Sequence, residues 1–335
     1  MDLVMVNVEK CEMISGVIKK ANLPPDTEEP TQVELSDDVL MNFYFVVVAI
    51  CHQTSPINGT SFEGIINNKK YKGWDYLREK FLIATKENPS IVYPEFLSGI
   101  TCNEFTKIIQ DDAERVVLSD IEGRVKLLND LGKLMVSSNF KTVHDIFIKS
   151  NGHIIGENGD GILQILSQFK AYSDPIRKKS LYFLSLMRNH SLWYFKDEAN
   201  FGPPVDYHEI RGHLRLGSIV ILDDKLKSKI LEKELILEDE DIQIRNAVYK
   251  AIMLISKMTK NTPSVLHYFF WNYFRSCCKR EEAHCKGCLD SCILPERYKT
   301  IKKEIKANKC IFSNVCSSEF DETKIVEPMV LTEYY

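Results

Sequence analysis

Beyond Trp74 the apolar residues return with the period of a helix and almost nowhere with that of a strand, and this spacing limits the fold more than any other feature. Val125, Leu128, Leu131 and Leu134 form one stripe, and Leu181, Leu184 and Met187 a second. Ala247, Val248, Ala251, Ile252 and Ile255 form a third, and Val265, Phe269, Phe270 and Tyr273 a fourth. Residues three or four apart share one helix face, so each stripe predicts a helix with one side in a core. The chain therefore reads as mainly α. Its 335 residues can bury a sizeable core, as one large domain or two ordinary ones.

The exceptions lie near the N terminus. Phe43-Tyr-Phe-Val-Val-Val-Ala-Ile50 is rich in aromatic and β-branched residues and predicts a buried strand, with helix as the alternative. Gly64 to Gly73 sets the turn pair Asn67-Asn68 between short apolar arms and predicts a small antiparallel β-hairpin. Between them, Cys51 to Gly59 is a polar loop with turn chemistry at Asn58-Gly59. Residues 1–37 read as a leader closed by helix caps at Ser36 and Asp37, 38–274 as the helical domain, and 275–335 as a Cys-rich basic segment. Asn151 to Gly161 is Gly-rich, but it lacks the spacing of a phosphate-binding loop and reads as surface.

A net charge of -4 gives no global electrostatic case for nucleic acid or anionic membrane. Locally the balance differs: Arg275 to Lys309 holds ten Lys or Arg against five Asp or Glu, a face suited to anions or simply to solvent. Met1 to Lys20 lacks a signal-peptide layout, and the longest apolar run, Phe43 to Cys51, is too short to span a bilayer, so a cytoplasmic location is expected. In that compartment ten cysteines point to metal rather than disulfides. Cys278, Cys285, Cys288 and Cys292, spaced C-x6-C-x2-C-x3-C, predict a structural zinc or [4Fe-4S] site, because four thiolates leave no open position for substrate. The first two intervals resemble the iron-sulfur loop of the endonuclease III family of DNA glycosylases, whose last interval is two residues longer. The shorter interval leaves Cys277, Cys310 or Cys316 open as a replacement ligand.

The stretch Phe201-Gly-Pro-Pro-Val-Asp-Tyr-His-Glu-Ile-Arg-Gly-His-Leu-Arg-Leu-Gly217 carries the candidate chemistry. Pro203 and Pro204 end whatever precedes them, and Asp206 stands just before the amphipathic run Tyr207 to Leu216. Asp206 reads as an N-cap, as a catalytic carboxylate on a rigid mount, or as both.

Several segments, in common order from about residue 38 to 274, resemble the queuosine salvage proteins, which are queuosine 5'-phosphate N-glycosidases. Met41-Asn-Phe-Tyr-Phe45 is similar to that family's Leu-Asn-Phe-x-Phe-Trp, and Tyr71-Lys-Gly-Trp-Asp-Tyr-Leu77 to its Tyr-x-Gly-Tyr-Trp-x-Leu. The run from Ile121 to Leu134 is similar to its Glu-Arg-x-x-x-Leu-Asn-Glu-x-Gly-x-x-Leu helix. Val205-Asp-Tyr-His-Glu-Ile-Arg211 parallels Ala-Asp-Tyr-Arg-Leu-Pro-Gln, Glu240 to Arg245 parallels Glu-Val-Glu-Ile-Arg, and Leu266 to Trp271 parallels a terminal Leu-Asp-x-x-Leu-Trp. The chain departs from the pattern at Val46, Gln243 and His267, where the family has Trp, Glu and Asp, and the cysteine cluster lies outside it.

The resemblance implies a helical fold related to helix-hairpin-helix glycosylases and hydrolysis of a nucleotide's N-glycosidic bond, with no cofactor needed for the chemistry. Asp206 would be the catalytic carboxylate. Phe43, Trp74 and Tyr207 would be stacking surfaces for a flat base, or simply core. Lys178, Lys179 and Arg245 would hold a 5'-phosphate, unless Arg245 is a structural arginine paired near Glu240 and Asp241. The competing classes are a DNA or RNA base glycosylase, disfavoured by net charge, and a non-catalytic metal-stabilised nucleoside-binding protein.

Overall fold

The computed structural model describes residues 2–25, 33–54, 62–286, 293–304, 309–319, 321 and 325–335, with no side-chain description for 302–304. Among them are the strands β1 (Val4–Val6), β2 (Glu63–Ile66), β3 (Lys69–Lys72) and β4 (Ile219–Ile221). The helices in chain order are α1 (Val8–Ala21), α2 (Asp37–Ala49), α3 (Gly73–Glu87), α4 (Pro94–Leu97), α5 (Cys102–Ile109), α6 (Ile121–Ser137) and α7 (His144–Lys149). They continue with α8 (Ile162–Leu166), α9 (Lys178–Asn189), α10 (Tyr207–Leu216), α11 (Asp224–Glu232), α12 (Glu238–Thr259), α13 (Pro263–Cys277) and α14 (Glu296–Glu304). The fold is mainly α, and each of the four stripes lies on a helix: α6, α9, α12 and α13. Among the described residues no helix is long and apolar enough to cross a membrane.

The chain forms two compact units, Met1–Thr27 with Phe201–Leu331, and Glu28–Asn200 with Thr332–Tyr335. This division differs from the expected breaks after residues 37 and 274. The expected leader supplies β1, which pairs antiparallel with β4 in the register Val4 to Ile221, and α1, which packs on α12. In the same unit the acidic run at Asp239–Asp241 falls in the first turn of α12, where carboxylates meet the positive end of the helix dipole. Helices α10 and α13 approach closely at Gly212, because a Cβ there would run into the Phe274 ring.

The 28–200 unit corrects the strand expectation. Phe43 to Ala49 lies inside α2, which begins after Ser36 with Asp37 and Asp38 in its first turn. Every residue from Leu40 to Ala49 is buried. A helix enclosed on all sides needs apolar residues all round, so it loses the one-sided stripe and imitates a buried strand. The hairpin forms as expected: β2 pairs with β3, and Asn67 and Asn68 turn the corner at φ 51° and 61°. Both turn N–H groups donate to the Asp112 carboxylate, at 3.2 and 3.0 Å. In α6, Gly132 lies against the backbone of Pro94 and Ser98, leaving no room for a Cβ.

Candidate functional site

Asp206 is the N-cap of α10 and is 8% exposed. Its Oδ1 accepts the backbone N–H groups of His208 (2.8 Å) and Glu209 (3.2 Å), while its Oδ2 accepts the indole N–H of Trp271 (2.8 Å). The Glu209 carboxylate reaches back to the Asp206 N–H at 3.4 Å, which completes a capping box. Ahead of the cap the chain turns at Pro204, where the Val205 N–H donates to the Pro203 carbonyl at 3.0 Å, and Gly217 at φ 79° closes the helix in the left-handed conformation. The cap and the fixed carboxylate are thus one arrangement.

The surroundings of this carboxylate are themselves held in place. Glu209 is fully buried with Oε2 at 3.0 Å from His267 Nδ1; burial pushes its carboxyl up, and the His267 charge pulls it back. His208 is half-buried and its Nδ1 stands 2.9 Å from Arg211 Nη2. Burial pushes the His208 imidazole down to about 4, against the pull of the Asp206 charge, so it is neutral at neutral pH. Arg211 is anchored to Glu327 at 2.9 Å and to the Cys278 carbonyl at 2.8 Å. The half-buried Trp271 and His208 rings stand beside the carboxylate, and the half-buried Tyr207 ring packs on His208 with centroids 4.2 Å apart. The Arg275 guanidinium lies over Trp271 at 4.8 Å.

The structure therefore groups Asp206 and Tyr207 with Trp271, His208 and Glu209, which sequence reasoning did not select. Trp271 was within reach: it ends the Leu266 to Trp271 segment of the resemblance. Arg245 lies in the same unit as Asp206, but it is fully buried and its Nε donates to Asp241 at 2.8 Å, one turn back on α12. That is the structural pairing weighed above, and it keeps the guanidinium from solvent.

Phe43, Trp74, Lys178 and Lys179 belong to the other unit. Phe43 is fully buried against Tyr44, at 5.1 Å between centroids, so it is core rather than a stacking face. Trp74 meets Tyr182 edge-on at 5.4 Å, and Lys178 Nζ lies 5.3 Å over the same Tyr182 ring. These two candidates are thereby joined in one half-buried cluster. Lys179 is fully buried and donates to the Ala49 carbonyl; burial pushes its ammonium down to about 7. With Arg124, which donates to the carbonyls of Ile50 and His52, it satisfies acceptors left open where α2 ends. That role leaves Lys179 no reach to a phosphate.

Of the four predicted metal ligands, Cys278 and Cys285 are described and line a cavity of about 30 Å3, together with Cys277, Cys310 and Cys316. Cys288 and Cys292 lie outside the described residues. Among the described residues no three His, Cys, Asp or Glu side chains already stand in ligating arrangement. No family model and no curated protein sequence matches the chain.

Proposed function

We propose that this protein hydrolyses the N-glycosidic bond of a nucleoside 5'-phosphate carrying a 7-deazaguanine base of the queuosine type, releasing the free base as a cytoplasmic salvage step. The observation that carries the reading is the Asp206 carboxylate, fixed by three donors beside half-buried aromatic rings. An ionised carboxylate offers about four lone-pair sites, so three bonds leave about one for water or sugar. As the base departs, positive charge builds on the ribose ring oxygen and anomeric carbon. A pre-oriented carboxylate beside that carbon is worth more in the transition state than in the ground state. Water then adds to the anomeric carbon, Asp206 takes or orients the proton that the water loses, and the departing base takes a proton from solvent, so the two transfers balance. Tyr207 and Trp271 offer faces for the flat base, and the fully buried Glu209 acts on the reaction through Asp206, its N–H on the carboxylate and its own carboxylate on the Asp206 N–H.

The test is release of base from queuosine 5'-phosphate by the full chain, followed by chromatography, beside Asp206→Asn. Turnover that vanishes in the variant is the expected result. Tight substrate binding without turnover by the wild-type protein would instead identify a non-catalytic binder, and steeply salt-dependent binding of DNA or RNA would point to a nucleic-acid glycosylase.

A further inference from the structure

The cysteine cavity carries an inference that does not depend on the glycosidase reading. Its thiols come from two stretches far apart in sequence: Cys278 and Cys285 follow α13, while Cys310 and Cys316 flank a turn beyond α14. Backbone bonds tie the stretches together, with the Cys310 N–H donating to the Cys285 carbonyl at 3.1 Å. Cys310 and Cys316 each lie within electrostatic range of both Cys278 and Cys285. All four are half-buried, whereas the neighbouring Cys277 is buried. A buried cysteine usually behaves as a small apolar side chain that fills space. Here the cysteines line a space of about 30 Å3, more than the roughly 10–15 Å3 that one water needs, instead of filling it.

A second feature concerns charge. Arg215 is 2% exposed, and among the described residues no ion pair joins its guanidinium to a carboxylate; Glu319 lines the same cavity but is bonded to Ser313, Asn314 and Lys309. It donates to the carbonyls of Ile325 (2.6 Å), Lys279 (2.7 Å), Cys278 (3.2 Å) and Arg280 (3.2 Å), and to Cys278 Sγ at 3.3 Å. A buried cation with only neutral acceptors is costly unless negative charge stands nearby. Four metal-bound thiolates supply that charge: a divalent ion with four thiolates, or a [4Fe-4S] core in its 2+ state with four, carries a net charge of about -2. The Tyr273 hydroxyl donates to Cys310 Sγ at 3.3 Å, a further bond of the kind that orients a thiolate ligand.

We propose that Cys278, Cys285, Cys310 and Cys316 are the four ligands of a structural metal centre for a thiophilic metal, zinc or an iron-sulfur cluster, with Arg215 as its buried counter-charge. The ligand pattern is then C-x6-C-x24-C-x5-C rather than the compact run ending at Cys292. Binding requires the side chains to turn inward on the cavity, and each thiol loses its proton to solvent as the metal binds.

The full chain, purified without oxygen, is analysed for metal and sulfide, and its cysteines are alkylated with iodoacetamide and mapped by mass spectrometry. About one zinc per chain, or about four irons with matching sulfide and a visible absorption band, both satisfy the proposal and identify the metal. In the metal-loaded wild-type protein, Cys278, Cys285, Cys310 and Cys316 should react at least about tenfold more slowly than the exposed Cys102, while Cys288 and Cys292 react readily. Cys288→Ser with Cys292→Ser should keep the metal, and Cys310→Ser or Cys316→Ser should lose it. The proposal is overturned if neither metal is present after purification and anaerobic reconstitution. Metal lost with Cys288 and Cys292, while Cys310 and Cys316 alkylate freely in the loaded wild-type protein, overturns it equally. Because the alkylation pattern is read on wild-type protein, a variant that fails to fold does not blunt the test.

Discussion

Substituting Asp206 by Asn separates the cap from the chemistry. Asparagine caps a helix about as well as aspartate, so an amide oxygen can keep both backbone bonds to His208 and Glu209. The other position then holds an NH2 group facing the Trp271 indole N–H across what was a 2.8 Å bond. Two buried donors face to face lose one bond and strand a polar group, at a cost of about 1–3 kcal/mol. For a unit of this size that corresponds to a melting shift of roughly 2–4 °C per kcal/mol. Trp271→Phe removes one of the clashing donors, so in the double variant part of the loss should return. A coupling of about 1 kcal/mol or more is expected in a double-mutant cycle followed by urea unfolding. On the proposed function, Asp206→Asn also lowers kcat by about 100-fold or more, since the negative charge opposite the ribose is gone. Trp271→Phe keeps the carboxylate and should lose less. Additive stability effects would refute the Asp206–Trp271 geometry. Undiminished turnover in a destabilised Asp206→Asn protein would leave Asp206 a cap and nothing more.

Three further outcomes follow elsewhere, two from buried groups and one from the hairpin turn. His213 is fully buried with Nδ1 at 2.7 Å from the Ser218 hydroxyl and, among the described residues, no partner for Nε2, and burial pushes its imidazole down to about 3. The folded state thus holds it neutral, and the stability it contributes above pH 6.5 is lost as pH falls toward 3, at about 1.4 kcal/mol per unit. Urea titrations at pH 7, 6 and 5 should show that slope reduced by one histidine's share in His213→Gln; an unchanged slope contradicts the assignment. Asp241→Asn removes the negative charge from the buried pair with Arg245 and should cost about 3–5 kcal/mol by chemical denaturation, whereas a loss below about 1 kcal/mol would mean the pair is not shielded from water. At the hairpin, Asn68 sits at φ 61°, so Asn68→Gly should leave stability equal or slightly higher. Asn68→Val should cost about 1–2 kcal/mol in the same assay; equal midpoints for the two would argue against a left-handed turn there.

Legibility in the sequence followed the reach of each interaction. The amphipathic helices, the Asn67-Asn68 hairpin and the start of α10 after Asp206 are set by neighbours within a turn, and each lies where the spacing predicts. The strand expectation for Phe43 to Ile50 failed because full burial erases the periodicity that separates helix from strand. The fate of residues 1–37 was illegible for another reason: β1 finds its partner β4 more than two hundred residues away, a pairing that no local pattern announces. Composition likewise could not rank the basic residues. Lys178 and Lys179 are adjacent, yet one lies over Tyr182 and the other is sealed against Ala49. For the cysteines, spacing in the sequence offers one compact candidate set, of which Cys288 and Cys292 lie outside the described residues, while the fold also brings Cys310 and Cys316 to the cavity lined by Cys278 and Cys285.

Helix α10 joins the two regions of interest. Its N-terminal end holds Asp206, and its last turn, about 15 Å away for a ten-residue helix, presents Arg215 to the Cys278 loop. The same turn receives the other cysteine stretch: Cys316 Sγ and the Ser318 N–H both donate to the Arg215 carbonyl, at 3.2 and 3.0 Å. Helix α13 repeats the pattern, with Trp271 on the Asp206 carboxylate and Tyr273, two residues on, bonded to Cys310. Between these contacts Gly212 lets the Phe274 ring fill the helix interface, so α10 and α13 cannot slide without a clash. The 2.8 Å bond between Asp206 and Trp271 depends on that register, and the cysteine stretches brace the same register from the far end. A metal that closes the four thiols would therefore stiffen the mount of the carboxylate without touching it, which is how a supporting shell holds a site built on rigid elements.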